Sequence, residues 1–495
     1  MRADTGARPR LRYAPSPTGD PHVGNIRTAL WSWLHARRHG GDFIVRIEDT
    51  DQARAVPGAE ERILDSLRWL GLDWDEGPGV DGPHAPYVQS QRLSLYREAV
   101  DRLMAAGSAY RCFDTPEQLA AMREEQRARK ASPGYDGRCR AIPTAEAEAR
   151  AAAGESFVIR FRMPDEGSTA FDDQIRGEIR VENALLDDFV ILKSDGFPTY
   201  HLAHVVDDHD MRITHVTRGD EWIPSTPRHV RLIEALGWEP PTYVHTPVIL
   251  GPDGGKLSKR HGARSVLEYA DDGYLPEALL NFLAITGWAL DDHTEILSRE
   301  ELTQHFDVGG LVPNSAVFDT QKLEWMNGVY LRQLDLPRIA DLFEARLALD
   351  LPREAERPLD RTLVETIVPL VRERVKLLAE LAPMVDFLFT GDIVTPEQEA
   401  LLGKPYRGRP AEAQHALNAC YAALDPLIEW AAEPIEAALR ATAEELGEKA
   451  GSLFMLCRVA VTGRPVTPPL FETMEIVGRD RTLARLRSAE QTLRY

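Results

Sequence analysis

Apolar positions in the first fifty residues change period twice. Leu11 to Ala14 reads as a short strand, and Pro15 to Pro21 as a turn. From His22 to Arg38 the apolar residues Val23, Ile26, Leu30, Trp33 and Leu34 recur at helical spacing. Gly40-Gly41 closes that helix, and Phe43-Ile44-Val45-Arg46-Ile47 is a second strand. The pattern predicts a strand–helix–strand unit with parallel strands and a right-handed crossover.

A helix over Glu60 to Leu70 precedes a turn-rich stretch, Gly71 to Pro86. Leu93 to Ala106 is helical, Phe113 to Arg150 polar with little apolar periodicity, and Phe157 to Met163 and Glu178 to Val181 alternate like strands. Asp195-Gly196-Phe197-Pro198 then turns the chain back to an apolar segment, so residues 95–195 read as a module inserted into the first domain. Ile213 to Arg218 and Tyr243 to Leu250 are strands, with a helix over Pro227 to Leu236 between them. Beyond Leu311 the pattern is helical almost throughout. Arg361 to Phe389 carries a stripe of Leu363, Ile367, Leu370, Val371, Val375, Leu378 and Leu381, and Pro-rich breaks fall near 351–358 and 404–410.

Length refines this picture: 495 residues suggest three or more domains. No run of about 18 apolar residues exists, so no membrane span is expected. The basic start, Met1 to Leu11, lacks the apolar core of a secretory signal. Four cysteines, Cys112, Cys139, Cys420 and Cys457, fit a reducing cytoplasm better than a disulfide framework. The net charge of −20 does not exclude a nucleic-acid partner, because phosphate binding depends on local basic surface. Met122 to Arg140 and Arg372 to Lys376 are locally basic, although charge alone favours a plain solvated helix face for each.

Two segments carry the chemistry. Pro15-Ser16-Pro17-Thr18-Gly19-Asp20-Pro21-His22-Val23-Gly24-Asn25 lies where a helix starts after a strand, and free backbone N–H groups there attract anions. His22 can donate to a phosphate oxygen, and Gly24 lets a nucleotide approach the backbone. Far downstream, Gly254-Gly255 precedes Lys256-Leu257-Ser258-Lys259-Arg260, a cationic loop suited to a pyrophosphate leaving group. Singly these are an ordinary helix-flanking histidine and an ordinary exposed turn. In this order they are two halves of an ATP site built for adenylyl transfer.

The segment Arg12 to Asn25 resembles the first signature of class I aminoacyl-tRNA synthetases, and Lys256 to Arg260 the second. With Gly40 to Asp51, Val205 to Met211 and Trp325-Met-Asn-Gly328, the resemblance narrows to the bacterial glutamyl-tRNA synthetases and covers the whole chain. It implies an α/β multidomain protein: a Rossmann-type parallel-sheet catalytic domain (1–94 and 196–262) with an inserted α+β module that holds the acceptor end (95–195). A linker that contacts the tRNA stem (263–335) and an all-α anticodon-binding region (336–495) would follow. The implied reaction joins L-glutamate to tRNA(Glu) through glutamyl-adenylate, with ATP and substrate-bound Mg²⁺, in a cytoplasmic monomer. Glutaminyl relatives end in β-barrels, and a truncated relative that modifies queuosine lacks the helical half. A small-molecule adenylyltransferase would not need it, and a catalytically dead RNA-binding paralogue would not need the intact signatures.

Carried over residue by residue, the resemblance makes His22, Lys256 and Lys259 catalytic. It assigns Thr18, Gly19, His22, Gly24, Asn25, Glu221, Trp222 and Lys259 to ATP, and Arg12, Ala14, Ser16, Glu48, Tyr200, His204 and Arg218 to glutamate. A dicarboxylate needs fixed cations, and arginine meets a carboxylate with two parallel bonds. Arg12 is therefore expected on the side-chain carboxylate and Glu48 on the α-ammonium, while Asp49 and Asp51 serve turns. His201, His204, His209, Asp207, Asp208 and Asp210 offer ligand-type atoms, but they lie at expected substrate-pocket positions and are assigned no metal. Some relatives bind zinc through Cys-x-Cys and Cys-x-His pairs. Here those positions read Cys112-Phe113-Asp114 and Cys139-Arg140-Ala141, two ligands short of four, and no zinc is expected. Arg374 matches a position that reads the anticodon and rejects tRNA(Gln).

Overall fold

Parallel strands buried on both faces read as continuous apolar runs; Phe43-Ile44-Val45 does so, whereas Arg10-Leu11-Arg12-Tyr13 alternates arginine with apolar residues. A computed structural model describes residues 8–257, 264–391, 394 and 396–494. The chain divides into two units: Met1–Tyr269 with Pro276–Thr320, and Ala270–Leu275 with Gln321–Tyr495.

In the first unit β1 (Arg10–Tyr13), α1 (Val23–Arg38) and β2 (Asp42–Val45) form the expected strand–helix–strand unit with parallel strands, Leu11 opposite Phe43 and Arg12 opposite Ile44. Helix α2 (Ala59–Leu70) follows. The next elements are α3 (Leu93–Ala105), β3 (Ala109–Cys112), α4 (Pro116–Ala128), α5 (Thr144–Ala152) and β4 (Val158–Phe161). Strands β5 (Ser168–Asp173), β6 (Gly177–Glu182) and β7 (Val190–Leu192) lead to α6 (Tyr200–Asp210), β8 (His215–Gly219), α7 (Thr226–Ala235) and β9 (Thr242–Thr246). The main sheet has the order β2-β1-β8-β9-β5-β6, parallel except for the β5–β6 hairpin. From β1 the chain winds outward to β2, and from β8 it winds the other way to β9. The switch point lies between β1 and β8, and ligands of open α/β sheets bind outside the carboxyl ends of strands there.

Helix α1 covers this sheet, and its Val23, Ile26, Leu30 and Leu34 are fully buried. Its other side meets helix Pro276–Ile285, where Trp31 donates to the Ala284 carbonyl at 3.1 Å.

Two sequence expectations change. The segment 95–195 does not form one module: β3, β4 and β7 make a separate antiparallel sheet, while the β5–β6 hairpin joins the edge of the main sheet beside β9. Alternation over Glu178 to Val181 shows only that it is a strand, not which sheet it joins, and its partner β5 was not expected. Packing around α3 is continuous as well, since Tyr96, Val100 and Leu103 share one cluster with Ile159, Phe161, Leu202 and Ile233. The strand expected over Tyr243 to Leu250 breaks after Thr246 at Pro247; Ile249–Leu250 (β10) pairs instead with Ala316–Val317 (β11).

The second unit is helical, with Thr320–Gln333, Leu336–Asp350, Arg361–Val371, Pro410–Leu424, Ala432–Glu445, Ala450–Thr462, Leu470–Val477 and Arg479–Thr492 among its longer members. The stripe predicted from 361 to 389 is buried at Ile367, Val371, Val375, Leu378 and Leu381, but not within one helix. Pro369 lies inside the first helix, which ends at Val371, and Glu380 then accepts the free backbone N–H groups of Lys376 and Leu377. Among the described residues, no helix is long and apolar enough to cross a membrane.

Charge also lies inside the first unit. Arg46, fully buried just past β2, donates to Asp208 at 2.8 Å and Glu48 at 2.9 Å, with Asp207 at 3.6 Å. Removing one member of such a network strands the others. Arg46→Met is therefore expected to cost about 3–5 kcal/mol, measured as the loss in unfolding free energy of the first unit's urea transition by tryptophan fluorescence.

Candidate active site

The N-terminus of α1 is closed by its own histidine. His22 is extended, and its Nδ1 accepts the backbone N–H of Gly24 at 3.1 Å. Burial, with Lys256 beside it, lowers the basicity of the ring, against the pull of Glu221. A neutral ring accepting at Nδ1 carries its proton on Nε2, so His22 presents a donor. Gly24 also lies against the cap: a Cβ there would sit 3.0 Å from the His22 ring. Glycine makes room for the capping imidazole.

His22, Gly24, Asn25, Glu221 and Lys256 line one pocket, so the upstream signature and the described start of the downstream loop meet. The Glu221 carboxylate folds over Gly219, where a Cβ would meet it at 2.1 Å. Lys259 lies outside the described residues.

A larger cavity of about 660 Å³ opens beside the first, with Asn25, Thr28, Gly219 and Glu221 lining both. It gathers Arg12, Ala14, Ser16, Thr18, Glu48, Tyr200, Arg218 and Trp222, and adds Lys193 and Arg54, which sequence reading missed. Gly19 lines neither. Arg12 reaches in from β1, its Nε on Asp208 at 3.1 Å and Nη1 on the Thr217 carbonyl at 3.2 Å. Glu48 sits opposite, and burial raises its carboxyl against the pull of Arg46 and Arg12. Burial alone would raise Asp208 too, but the Arg12 and Arg46 guanidinium groups overcome it and hold that carboxyl below its ordinary value. Arg218 comes from the carboxyl end of β8 under Tyr200 and Trp222, whose rings lie 4.2 Å apart.

His204 stands one layer below this cavity and lines a different one with Asp208 and Tyr243. Its Nε2 faces Arg218 Nη1 at 3.4 Å, and its ring packs against Tyr200 and His229. Helical spacing from Tyr200 sets the face of α6 but not the depth, so the expected glutamate contact becomes a contact to Arg218. Asp207 is spent on Arg92, Gln89 and Tyr96, and Asp210 on Arg92. Asp49 accepts the Ser90 N–H at 2.8 Å, a turn contact as expected. No spacing rule pointed to Asp208 as the partner of Arg12 and Arg46, or to Arg46 and Gln89 as partners of Glu48 and Asp207.

In the separate antiparallel module, Cys112, Asp114 and Cys139 bring ligand atoms within 4.8 Å of one another. The Tyr135 hydroxyl lies 3.4 Å from the Cys112 sulfur and 2.7 Å from Asp114. Cys112 is pulled down to about 6, chiefly by Cys139 beside it. Asp114 is a third ligand-type group that the sequence count did not include. Arg374, exposed in the second unit, donates to the Thr467 carbonyl at 3.3 Å and stands near Arg458.

Residues 9–325 match the family model described as tRNA synthetases class I (E and Q), catalytic domain, and residues 338–490 match an anticodon binding domain. The chain is 51% identical over 480 residues to a glutamate–tRNA ligase of Dehalococcoides mccartyi, covering 97% of each. It is 48% identical over 491 residues to one of Acidothermus cellulolyticus, covering 97% of this chain and 95% of that one. A crystal structure of a glutamate tRNA ligase from Elizabethkingia meningosepticum with its amino acid superimposes with a TM-score of 0.87 at 36% identity, over 98% of this chain and 100% of that one.

The crowding at Gly24 can be tested. Gly24→Ala is expected to push the His22 ring aside and slow ATP–pyrophosphate exchange by about 10²-fold, with the thermal midpoint unchanged; an unchanged rate would remove His22 placement as the reason for glycine.

Proposed function

The chain belongs to the class I tRNA synthetases of the E and Q type, and on that footing we propose that it ligates L-glutamate to tRNA(Glu) at the expense of ATP. The observation that carries this reading is the pair Arg12 and Arg218, set with Glu48 around one cavity that adjoins the His22–Lys256 pocket. Two arginines and a carboxylate complement an amino acid with two carboxylates and one ammonium. Within a family described by both E and Q, a second cation favours glutamate over its neutral amide.

No protein nucleophile is required. An α-carboxylate oxygen of glutamate forms a bond to the α-phosphorus of ATP, the bond to the β-phosphate oxygen breaks, and pyrophosphate leaves with the electron pair. A hydroxyl of the 3′-terminal adenosine of tRNA then attacks the carbonyl carbon and AMP departs. Arg12 clamps the side-chain carboxylate, Glu48 the α-ammonium, and Arg218 a further substrate oxygen. His22 donates from Nε2 to the phosphates, and Lys256 and Lys259 offset charge that grows on the leaving pyrophosphate. When bound with the nucleotide, Mg²⁺ would offset the charge of its phosphates. Positioning and fixed charge account for the rate. The reading includes a monomeric, cytoplasmic enzyme whose 95–195 segment holds the acceptor end and whose helical half reads the anticodon.

Zinc stays outside this reading. Cys112, Asp114 and Cys139 with the Tyr135 phenol do not supply the four thiolate or imidazole ligands typical of a structural site. Metal analysis after dialysis is expected to find no stoichiometric zinc, and one retained equivalent would overturn the point.

The function is tested with labelled glutamate and purified tRNA(Glu) and tRNA(Gln) side by side. Charging of tRNA(Glu) alone is expected, and charging of neither would refute the proposal. Arg374→Gln is expected to admit tRNA(Gln) with tRNA(Glu) charging largely kept. If wild type already charges both equally, Arg374 is not a discriminator.

A further inference from the structure

Arg218 is a buried cation whose five N–H donors all meet neutral acceptors. Nε donates to His245 Nε2 at 3.2 Å, and Nη2 to Thr226 Oγ at 2.8 Å and His229 Nδ1 at 3.2 Å. Nη1 makes the two longest bonds, to the Tyr200 hydroxyl at 3.3 Å and His204 Nε2 at 3.4 Å. Among the described residues no carboxylate forms an ion pair with it. Guanidinium only donates, so each facing ring nitrogen must be an acceptor, and each imidazole must be neutral with its proton on the far nitrogen.

That tautomer is set from behind. His245 lies opposite Arg218 in the β8–β9 register, and its Nδ1 faces Asp173 Oδ2 at 2.7 Å. Asp173, at the carboxyl end of β5, is fully buried at the side chain and also accepts the backbone N–H groups of His245, Ile175 and Arg176. A carboxylate can only accept, so Nδ1 of His245 carries the proton and Nε2 is left as an acceptor, facing Arg218 Nε at 3.2 Å and the Thr226 hydroxyl at 3.0 Å. His229 is ordered likewise: its Nδ1 accepts from Arg218 and its Nε2 donates to His201 Nδ1 at 2.8 Å. Burial and the Arg218 charge lower His229, and burial lowers His245 against the opposing Asp173.

We propose that Asp173 and His245, with His229 and His201 on the other edge, are positioning residues that fix the Arg218 guanidinium so that Nη1 faces the glutamate cavity. The Nε and Nη2 edges carry the shorter, tautomer-locked bonds and stay with the protein. Nη1, held by the two weakest bonds, is the edge that exchanges acceptors when an anion arrives. Because every existing acceptor is neutral, the cation keeps its charge uncompensated for a substrate carboxylate. The inference rests on the reading of Arg218 as a glutamate contact. It adds three neighbouring strands, β5, β9 and β8, as the support that aims this contact.

Asp173→Asn tests it. The amide can donate to Nδ1 of His245 and so move the ring proton to Nε2, where it would oppose the Arg218 Nε–H and compete with Arg218 Nη2 for the Thr226 hydroxyl. A tautomer change of this kind disables a histidine without removing it. The expected result in tRNA charging is a rise in KM for glutamate on the order of 10–100-fold, with KM for ATP and for tRNA essentially unchanged. Long-range ¹H–¹⁵N spectra of the histidine rings should show His245 switching from the Nδ1–H to the Nε2–H form. Since the substitution also disturbs backbone bonds, a second measurement uses His245→Gln, whose carbonyl can accept from Arg218 without a tautomer. In that background Asp173→Asn should raise KM for glutamate no further. An unchanged KM for glutamate, an equal rise in all three KM values, or full additivity in the double variant would overturn the proposal. Failure of the functional reading is separate: it shows in the wild type, as absence of glutamate charging before any variant is compared.

Discussion

The carboxylate of Asp208 holds the catalytic unit together. One of its oxygens accepts from Arg12 on β1 and from Arg46 beyond β2, so two adjacent strands are tied to α6 through a single atom. Arg46 extends the tie to Glu48 and Asp207, and Asp207 extends it to Gln89, Arg92 and Tyr96. A network this buried adds little net stability over an apolar core, but it makes any other arrangement costly, because each group left alone would be an unpaired buried charge. The site is over-determined by that penalty.

The two arginines at the switch point are handled in opposite ways. Arg12 shares its charge with Asp208, whereas Arg218 is surrounded by histidines, a threonine and a tyrosine with no ion pair among the described residues. A compensated cation supplies geometry and an uncompensated one supplies attraction. A dicarboxylate benefits from one of each: the first fixes where one carboxylate lies, and the second contributes most of the field that draws the ligand from water. The cost is local, since a buried guanidinium needs every donor satisfied, and five acceptors are recruited from β9, α6 and α7 to do so.

The segment from α3 to β7 shares its apolar core with α6 and α7, so its helix α3 is not a detachable appendage. The β5–β6 hairpin crosses back to the main sheet and delivers Asp173 behind His245. An excursion between β2 and β8 therefore both extends outward and buttresses the site. The same packing accounts for where sequence reading erred, because alternation along a strand is identical whichever sheet receives it.

Local chemistry was legible from the sequence alone. The helical spacing of Val23 to Leu34, the strand–helix–strand opening and the helical second half follow from periodicities of 3.6 and 2, which depend on nearest neighbours along the chain. The residues around His22, and those lining the cavity from Arg12 to Arg218, were found because a resemblance carried them in order. What tertiary structure decided was who supports whom. His204 faces Arg218 from below instead of entering the cavity, Gly24 makes room for its own histidine, and Asp208, Arg46, Asp173 and His245 orient residues up to 196 positions away. No pattern in one dimension encodes such pairs. Each is set by the strand register and by the rule that a buried donor or charge must find its partner wherever the fold brings one.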